Sequence, residues 1–396
     1  GGVYAAYMNQ AVFSFLRQAL DADQASHLFR EPRLRAYLQY MCRFYYEGVG
    51  IQSYDDGIAS NRTYLPLLLS KANPEAPLIK RTFGDLSGLS QDAQGEAIFF
   101  ADPLNEIVPA TAAELGQKSF FYEDGGIALF NSDTNIPGRK RWRLALVGES
   151  HMAHGHEKAN RGTFLIAVEN VNGSQTVSYV PGGVYDNAYS EGSLAPASNA
   201  PQNDFGGPFN EEGQEPMEGS FSADGLAMSG VTNRIEDTTQ TRKVAWVRDG
   251  HYALMVDWSI SDAQRESSFQ FHGAGRAVPG GFELEDGTLL NFIPVADHAI
   301  ESINPLGHDA SGHAMERRHE ILERSSVGKR TSFFTIIAPE SGQPLDTRRL
   351  LHDGEEVGAA LVSDDGSGED WILRSQKGEE TVYEDVRFQG VGALIT

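Results

Sequence analysis

The sequence predicts an α+β protein in two unequal parts, a helical segment at residues 1–90 and a large antiparallel β-sandwich at residues 91–396. Apolar residues recur at the three- and four-residue spacing of helices only before about residue 85. After that point, short β-rich segments alternate with Asp-Gly and Asn-Gly pairs, which are typical of hairpin turns. A chain of 396 residues is also long enough for two domains of ordinary size.

The helical part contains three candidate helices. Phe13, Leu16 and Leu20 lie on one apolar face of the first. Pro32 stands where the first turn of the second helix tolerates proline. Apolar residues cover more than half the girth of this second helix, so we expect it to be packed on two sides. The third candidate runs near residues 62–72.

The β-rich part contains short strands joined by turns, without helices between them. The candidate strands are 119–122, 127–131, 142–148, 163–169, 175–180, 243–248, 252–260, 267–272, 288–294, 332–338, 359–363, 370–375 and 381–388. Residues 186–232 differ, because they are rich in Gly, Ser, Asn, Pro and Glu and have little β pattern. A long active-site loop and a disordered insert both stay open for them, and the flanking strands favour the loop.

The composition excludes several classes of partner. The chain carries 55 acidic residues against 32 Lys and Arg residues, a formal charge of −23. This charge argues against nucleic acid and against an anionic membrane surface as partners. Apolar runs stay well short of the roughly 20 residues of a spanning helix, so we expect no membrane insertion. Cys42 is the single cysteine, which excludes a disulfide scaffold.

The densest candidate for chemistry is a histidine cluster in the segment GESHMAHGHEKANRGTF. His151, His154 and His156 fall within six residues. His154 and His156 are two apart, a spacing that places side chains on one face of a strand. Neutral imidazole suits metal binding or proton transfer, and the alternative is a solvated polar turn. A zinc site would need a further ligand, for which three candidates stay open: Asp186, Asp204 and Glu157.

Three smaller features also allow two interpretations each. Tyr4 and Tyr7 share a helical face and suit acid-base chemistry, although aromatic packing is the more common use. The segment 242–258 predicts a hairpin that turns at Asp-Gly, and Asp257 at its end is a buried acceptor with a functional or a structural role. The basic run 138–143 suits an anionic substrate or a solvated strand edge protected by charge.

The order of these features resembles the heparinase II/III-like polysaccharide lyases. The resemblance begins with GGVYAAYMNQAVFSFLRQAL and continues through FREPRLRAYLQYM, RTFGD and SFFYEDGGIALF. It is strongest at RWRLALVGESHMAHGHEKANRGTFLIAVENVNG and extends to RKVAWVRDGHYALMVDW and SFFTIIAP. The family pairs an α/α-toroid with an antiparallel β-sandwich. The resemblance therefore implies that residues 1–90 are the C-terminal end of a toroid, and that the chain is the C-terminal part of a longer enzyme.

The resemblance also implies roles for individual residues. Tyr4 matches the catalytic tyrosine, with Tyr7 as the second choice, and His154 matches the histidine of the catalytic cleft. His156 matches the first zinc ligand. The stretches that match the other two ligands read YVPG and ASNA, so the implied structural zinc site is incomplete.

Substrate contacts are expected from Arg141, Arg161 and Asn199. The implied function is β-elimination on a uronic-acid-containing polysaccharide, alginate-like or glycosaminoglycan-like, by a secreted or periplasmic bacterial enzyme. The alternatives are a non-catalytic carbohydrate-binding sandwich, an inactive fragment of such a lyase, and, less favoured, a metal-dependent hydrolase. A homodimer stays open as the oligomeric state.

Overall fold

The structure is a computed structural model, and every structural statement below concerns the residues that it describes. These are 27, 29–43, 45–46, 50–51, 73–83, 106–111, 114, 119–122, 126–132, 140–148, 162, 164–169, 176–178, 194–196, 218–221, 225–235, 237–273, 275–284, 287–295, 299–308, 314–339, 345–362, 368–375 and 380–396.

The described residues form two helices and a series of strands. The helices are α1 (Pro32–Arg43) and α2 (Ala76–Phe83). The strands are β1 (Tyr45–Tyr46), β2 (Gly50–Ile51), β3 (Phe120–Tyr122), β4 (Ile127–Asn131), β5 (Trp142–Val147), β6 (Phe164–Glu169), β7 (Thr176–Ser178), β8 (Leu194–Pro196), β9 (Glu218–Phe221), β10 (Ala227–Ile235), β11 (Thr238–Val247), β12 (Tyr252–Gly273), β13 (Gly275–Val278), β14 (Gly281–Leu284), β15 (Leu289–Pro294), β16 (Ile300–His308), β17 (Ala314–Pro339), β18 (Thr347–His352), β19 (Glu355–Val362), β20 (Glu369–Arg374), β21 (Glu380–Tyr383), β22 (Val386–Gln389) and β23 (Gly392–Ile395).

Three sheets carry most of these strands. The five-stranded sheet has the order β3-β4-β5-β6-β7. The large sheet has the order β13-β14-β15-β17-β12-β11-β10-β9, with β16 also on β17 and β8 also on β12. The four-stranded sheet has the order β18-β19-β20-β23. The pairs at the centre of each sheet, such as β5 with β6 and β12 with β17, are antiparallel, which confirms the predicted antiparallel β class.

The sheets stack in three layers with the large sheet in the middle. Val244 and Trp246 point from β11 into a core shared with Phe130 and Trp142 of the five-stranded sheet. Ala245 and Val247 of β11 point the opposite way, into a core shared with Ala359 and Ile372 of the four-stranded sheet. Successive side chains on a strand alternate between its two faces. Because both faces of β11 are covered at its C-terminal end, the residues from Val244 to Val247 are all apolar.

Helix α1 lies on the outer face of the five-stranded sheet, and α2 packs beside α1. Tyr40 of α1 packs on the small core of that face, and its ring meets Tyr122 edge-on at 4.6 Å. Arg35 of α1 forms an ion pair of 2.7 Å with Glu75, just before α2. The predicted helix at Pro32 is confirmed, whereas α2 was not predicted. The candidate helices at 13–20 and 62–72 lie outside the described residues, so the toroid stays a prediction.

No helix among the described residues is long and apolar enough to cross a membrane.

Several predicted strand boundaries are wrong. The candidates 252–260 and 267–272 belong to one strand, β12, whose pairing shifts register between Ile260 and Arg265. Two exposed polar residues of that bulge, Asp262 and Gln264, interrupt the β pattern of the sequence without ending the strand. Residues 186–232 also contain more β structure than expected, because β8, β9 and the start of β10 fall within them. The candidate 381–388 is a hairpin of two strands, β21 and β22.

Candidate active site

The histidine cluster belongs to the connection between β5 and β6, and the structure describes the base of that connection. The amide of Gly162 donates to the carbonyl oxygen of Val147 at 2.7 Å, and the amide of Gly148 donates to Gly126 at 2.6 Å. Gly162 has a φ of +81°, in the left-handed region that favours glycine. The chain therefore leaves and re-enters the sheet at a closed hairpin base, with residues 149–161 between the two ends.

A buried arginine of the large sheet holds this base. Arg242 donates from Nη1 to the carbonyl oxygen of Gly162 at 2.7 Å. From Nε and Nη2 it donates to the two carboxylate oxygens of Asp257, at 2.7 and 3.2 Å. The side chains of Arg242 and Asp257 are 2% and 0% exposed. Asp257 is thus the buried acceptor that the sequence indicated, and the donor that it accepts from is Arg242.

Two aromatic rings flank the same guanidinium. The Arg242 carbon Cζ lies 4.9 Å from the ring centre of Phe164 and 5.7 Å from that of Phe269. Phe164 is the first residue of β6, so Arg242 contacts both the end of the histidine connection and the start of the next strand. Cation–π contacts of a desolvated arginine add to the ion pair in holding its orientation.

Burial and pairing act in opposite directions on the carboxyl group of this pair. Burial raises the pKa of Asp257, while the charge and the hydrogen bonds of Arg242 lower it. Removal of Arg242 alone would leave the carboxyl group of Asp257 buried away from water, without the positive charge that compensates for its burial. The pair is therefore stable only as a unit.

The inner face of the large sheet becomes polar next to this pair. The Oγ atom of Ser259 lies 2.7 Å from the hydroxyl oxygen of Ser267 and 2.7 Å from that of Thr331. The side-chain amide of Gln240, which is also buried, has no hydrogen-bond partner among the described residues. Gln240 and Arg242 are two apart on β11 and so share the inner face. We call Arg242, with its contacts to Asp257 and Gly162, the clamp. Hydroxyl and amide groups thus extend from the clamp along the inner face of the large sheet.

Most of the predicted site residues lie outside the described residues. These are Tyr4, Tyr7, His154, His156, Arg161 and Asn199, together with His151 and the further metal-ligand candidates Asp186, Asp204 and Glu157. Their assignments stay predictions.

Arg141 is the predicted substrate contact that the structure describes. It is half-buried and directly precedes β5, whereas the histidine connection leaves from the other end of that strand. A strand advances about 3.3 Å per residue, so roughly 20 Å separates Arg141 from the hairpin base. The structure does not bring Arg141 and the clamp together, and its role as a substrate contact stays a prediction.

Two other cations of the basic run, Lys140 and Arg143, are engaged inside the protein, and Arg139 lies outside the described residues. Arg143 is fully buried on β5 and donates to Asn131 at 2.6 Å and to the carbonyl oxygen of Arg43, the last residue of α1, at 3.1 Å. Lys140 donates to the hydroxyl of Thr288. The interpretation of this run as a solvated strand edge is wrong at Arg143, because that residue is fully buried and β5 lies in the middle of its sheet.

The described residues contain no group of three His, Cys, Asp or Glu side chains placed to hold a metal ion. His156 lies outside the described residues, so the zinc site implied by the resemblance stays a prediction. No step proposed below passes through a metal.

Arg242 is not among the predicted site residues, although the register of the predicted hairpin indicates its pairing with Asp257. The predicted turn pairs Val247 with Tyr252, and counting five residues back along each strand pairs Arg242 with Asp257. The register alone would have placed a cation opposite the candidate acceptor. The contact with Gly162 had no comparable signal, because it joins different sheets.

Comparisons with known proteins bear on the fold. No family profile matches the sequence, and no curated protein matches it. Among solved structures, a heparinase III with methylated lysines is 12% identical, with a TM-score of 0.52. The match covers 91% of this chain and 51% of the heparinase III chain. A mutant of the heparan sulfate lyase HepC from Pedobacter heparinus is 12% identical with a TM-score of 0.52, covering 86% of this chain and 52% of its own. This chain spans about half the length of these neighbours, and the heparinase-like fold expected from the sequence is confirmed.

Proposed function

We propose that the chain is part of a polysaccharide lyase that cleaves a uronic-acid-containing polysaccharide by β-elimination. The observation that carries the proposal is the hairpin base at Gly162, which is anchored to the large sheet of a heparinase-like fold and leads into the histidine cluster. Such an anchored connection suits a segment whose side chains must stand in fixed positions.

The chemistry requires an acid, a base and a means of neutralising the substrate carboxylate. Removal of the C5 proton of a uronic acid produces an enolate-like intermediate, which is accessible only when the neighbouring carboxylate charge is balanced. The C4–O bond then breaks, and the departing oxygen receives a proton. We assign Tyr4 as base, acid or both, and His154 as its partner. A tyrosinate near neutral pH needs a neighbouring cation, which His154 or Arg161 supplies.

The remaining assignments follow from the same proposal. Arg141, Arg161 and Asn199 contact the acidic polysaccharide, and His156 contributes to a structural zinc site. The net charge of −23 repels a polyanion at long range, so binding depends on positive charge concentrated in the cleft. We place the protein outside the cytoplasm, where such polymers occur.

The test is a lyase assay with matched tyrosine variants. The chain is incubated with alginate, heparan sulfate, hyaluronan and ulvan, and unsaturated product is followed by its ultraviolet absorbance. We expect Tyr4→Phe to lower product formation about 10²–10⁴-fold, the usual range for loss of an acid-base group. Tyr7→Phe tests the second choice for the catalytic tyrosine, and a loss of product in Tyr7→Phe alone would transfer the role to Tyr7.

Two outcomes would contradict the proposal. Undiminished product from Tyr4→Phe would remove Tyr4 from the mechanism. Glycan retardation in affinity electrophoresis with no product from any polymer would favour the carbohydrate-binding sandwich instead.

A further inference from the structure

The contacts of Arg242 converge on one backbone position. Its guanidinium is planar, and Nε and Nη2 are both fixed by Asp257. The orientation of Nη1 is therefore determined, and it is aimed at the carbonyl oxygen of Gly162. A lysine ammonium in the same place would reach the carboxylate but would not extend a rigid second arm to the hairpin base.

We infer that Arg242, oriented by Asp257, is a positioning residue that fixes the base of the histidine connection at Gly162. Its link to catalysis rests on the proposed function, whereas its effect on the hairpin base does not. A displacement of about 1 Å in a catalytic group is enough to cost about 100-fold in rate. A clamp at the point where the connection rejoins the sheet limits such displacement.

A second buried arginine of the same sheet provides a matched control. Arg324 is 1% exposed and donates to the carbonyl oxygen of Phe292 and to Thr335. It also pairs with Glu301 at 3.4 Å. These partners lie on β15, β16 and β17, and none belongs to the hairpin base. Arg324→Met therefore removes an equally buried arginine without touching the clamp.

Three variants separate positioning from general stability. Arg242→Met removes the clamp and leaves Asp257 unpaired. Arg242→Met with Asp257→Leu removes both charges, an exchange that often leaves stability unchanged or improved. Arg242→Lys keeps the charge pair but removes the second arm. Denaturant midpoints measure global stability, and hydrogen exchange of peptides spanning 162–169 measures opening of the hairpin base.

We expect the double variant and Arg242→Lys to unfold near the wild-type midpoint while their hairpin-base amides exchange about 10- to 100-fold faster. Arg324→Met should show no change in exchange at 162–169 beyond its change in global stability. If the double variant or Arg242→Lys keeps wild-type exchange, the inference is overturned. This arm needs no enzymatic activity.

The catalytic arm uses the split between kcat and KM. Arg242→Lys and the double variant should lower kcat about 10- to 100-fold with KM nearly unchanged, because the clamp positions acid-base groups and does not touch substrate. Wild-type kcat in the double variant would overturn the catalytic link. Absence of wild-type activity on every polymer would instead count against the proposed function, and the exchange arm would still decide on the clamp.

Discussion

The indole nitrogen of Trp142 donates a hydrogen bond of 2.7 Å to the carbonyl oxygen of Gly250. This bond joins the first residue of β5 to the turn between β11 and β12, and so connects the five-stranded sheet to the large sheet. The two residues are 108 positions apart in the chain. The centre of the Trp142 ring also lies 4.3 Å from that of Trp246, which places the turn against two packed indole rings of the core.

Gly250→Ala should destabilise the protein strongly. Gly250 has a φ of +92°, and a Cβ built there would lie 2.6 Å from the Trp246 ring and 2.7 Å from the Cα of Ser132. Left-handed strain costs about 1–2 kcal/mol, and an overpacked methyl group costs about 1–3 kcal/mol more. We expect the free energy of unfolding to fall by about 2–5 kcal/mol in urea titrations.

Gly287→Ala is the control for this variant. Gly287 has a similar φ of +81°, but beyond its chain neighbours its added Cβ would meet no atom of the described residues within 4 Å. It should therefore show only the backbone cost of about 1–2 kcal/mol. Equal losses in the two variants would contradict the close packing of the turn on Trp246.

The hairpin around this turn was within reach of sequence analysis. An Asp-Gly pair between alternating apolar residues predicts both the turn and the register, and the pairing of Val247 with Tyr252 follows. The helix at Pro32 was predictable for the same reason, because its spacing and its first-turn proline are local signals. Local signals do not decide which sheet packs on which, so the three-layer order had to come from the structure.

Long-range and irregular features escaped prediction for physical reasons. The contact of Arg242 with Gly162 joins residues 80 positions apart, and no sequence pattern fixes such a pair. The bulge between Ile260 and Arg265 includes the exposed polar residues Asp262 and Gln264, so the sequence pattern predicts two strands where the structure has one, β12. The basic run 138–143 suits an anionic substrate or a solvated strand edge, and neither interpretation indicates a buried Arg143, whose hydrogen-bond partners compensate for the loss of water.

Tyr252→Phe should weaken the attachment of the four-stranded sheet. The Tyr252 hydroxyl donates to Asp370 at 3.0 Å, and both side chains are buried between this sheet and the large sheet. Burial and the negative charge of Asp370 raise the pKa of Tyr252, so the hydroxyl keeps its proton at neutral pH. Phenylalanine preserves the packing and loses a hydrogen bond to a charged group, which is worth about 1.5–3 kcal/mol.

Arg248→Met tests the other partner of the same carboxylate. Arg248 pairs with Asp370 at 2.8 Å, and its removal leaves a buried carboxylate with one neutral donor. Although Arg248 is 37% exposed, this loss should exceed that of Tyr252→Phe in urea titrations, because an unpaired buried charge costs more than a lost hydroxyl. A smaller loss for Arg248→Met would contradict this order.

Cys42 should be unreactive in the native protein. The thiol is 1% exposed in α1, and burial is the main cause that raises its pKa from 9.0 to about 12. The three-unit difference reduces the thiolate fraction at pH 8 by about 10³-fold relative to the unfolded chain. Because the chain has one cysteine, Ellman's reagent should report a single thiol that reacts only after denaturation. A native thiol that reacts at the unfolded rate would contradict its burial.

The same shift makes stability depend on alkaline pH. Between pH 9 and about pH 12 the unfolded thiol loses its proton while the native thiol keeps it, so the native state binds more protons. The free energy of unfolding should therefore decrease with rising pH, by about 1.4 kcal/mol per pH unit from this group. Cys42→Ala lacks the ionisable group and is the matched control. Urea titrations at pH 8, 9 and 10 should show a steeper decline for the wild type than for Cys42→Ala, and parallel declines would show that the thiol ionises equally in both states.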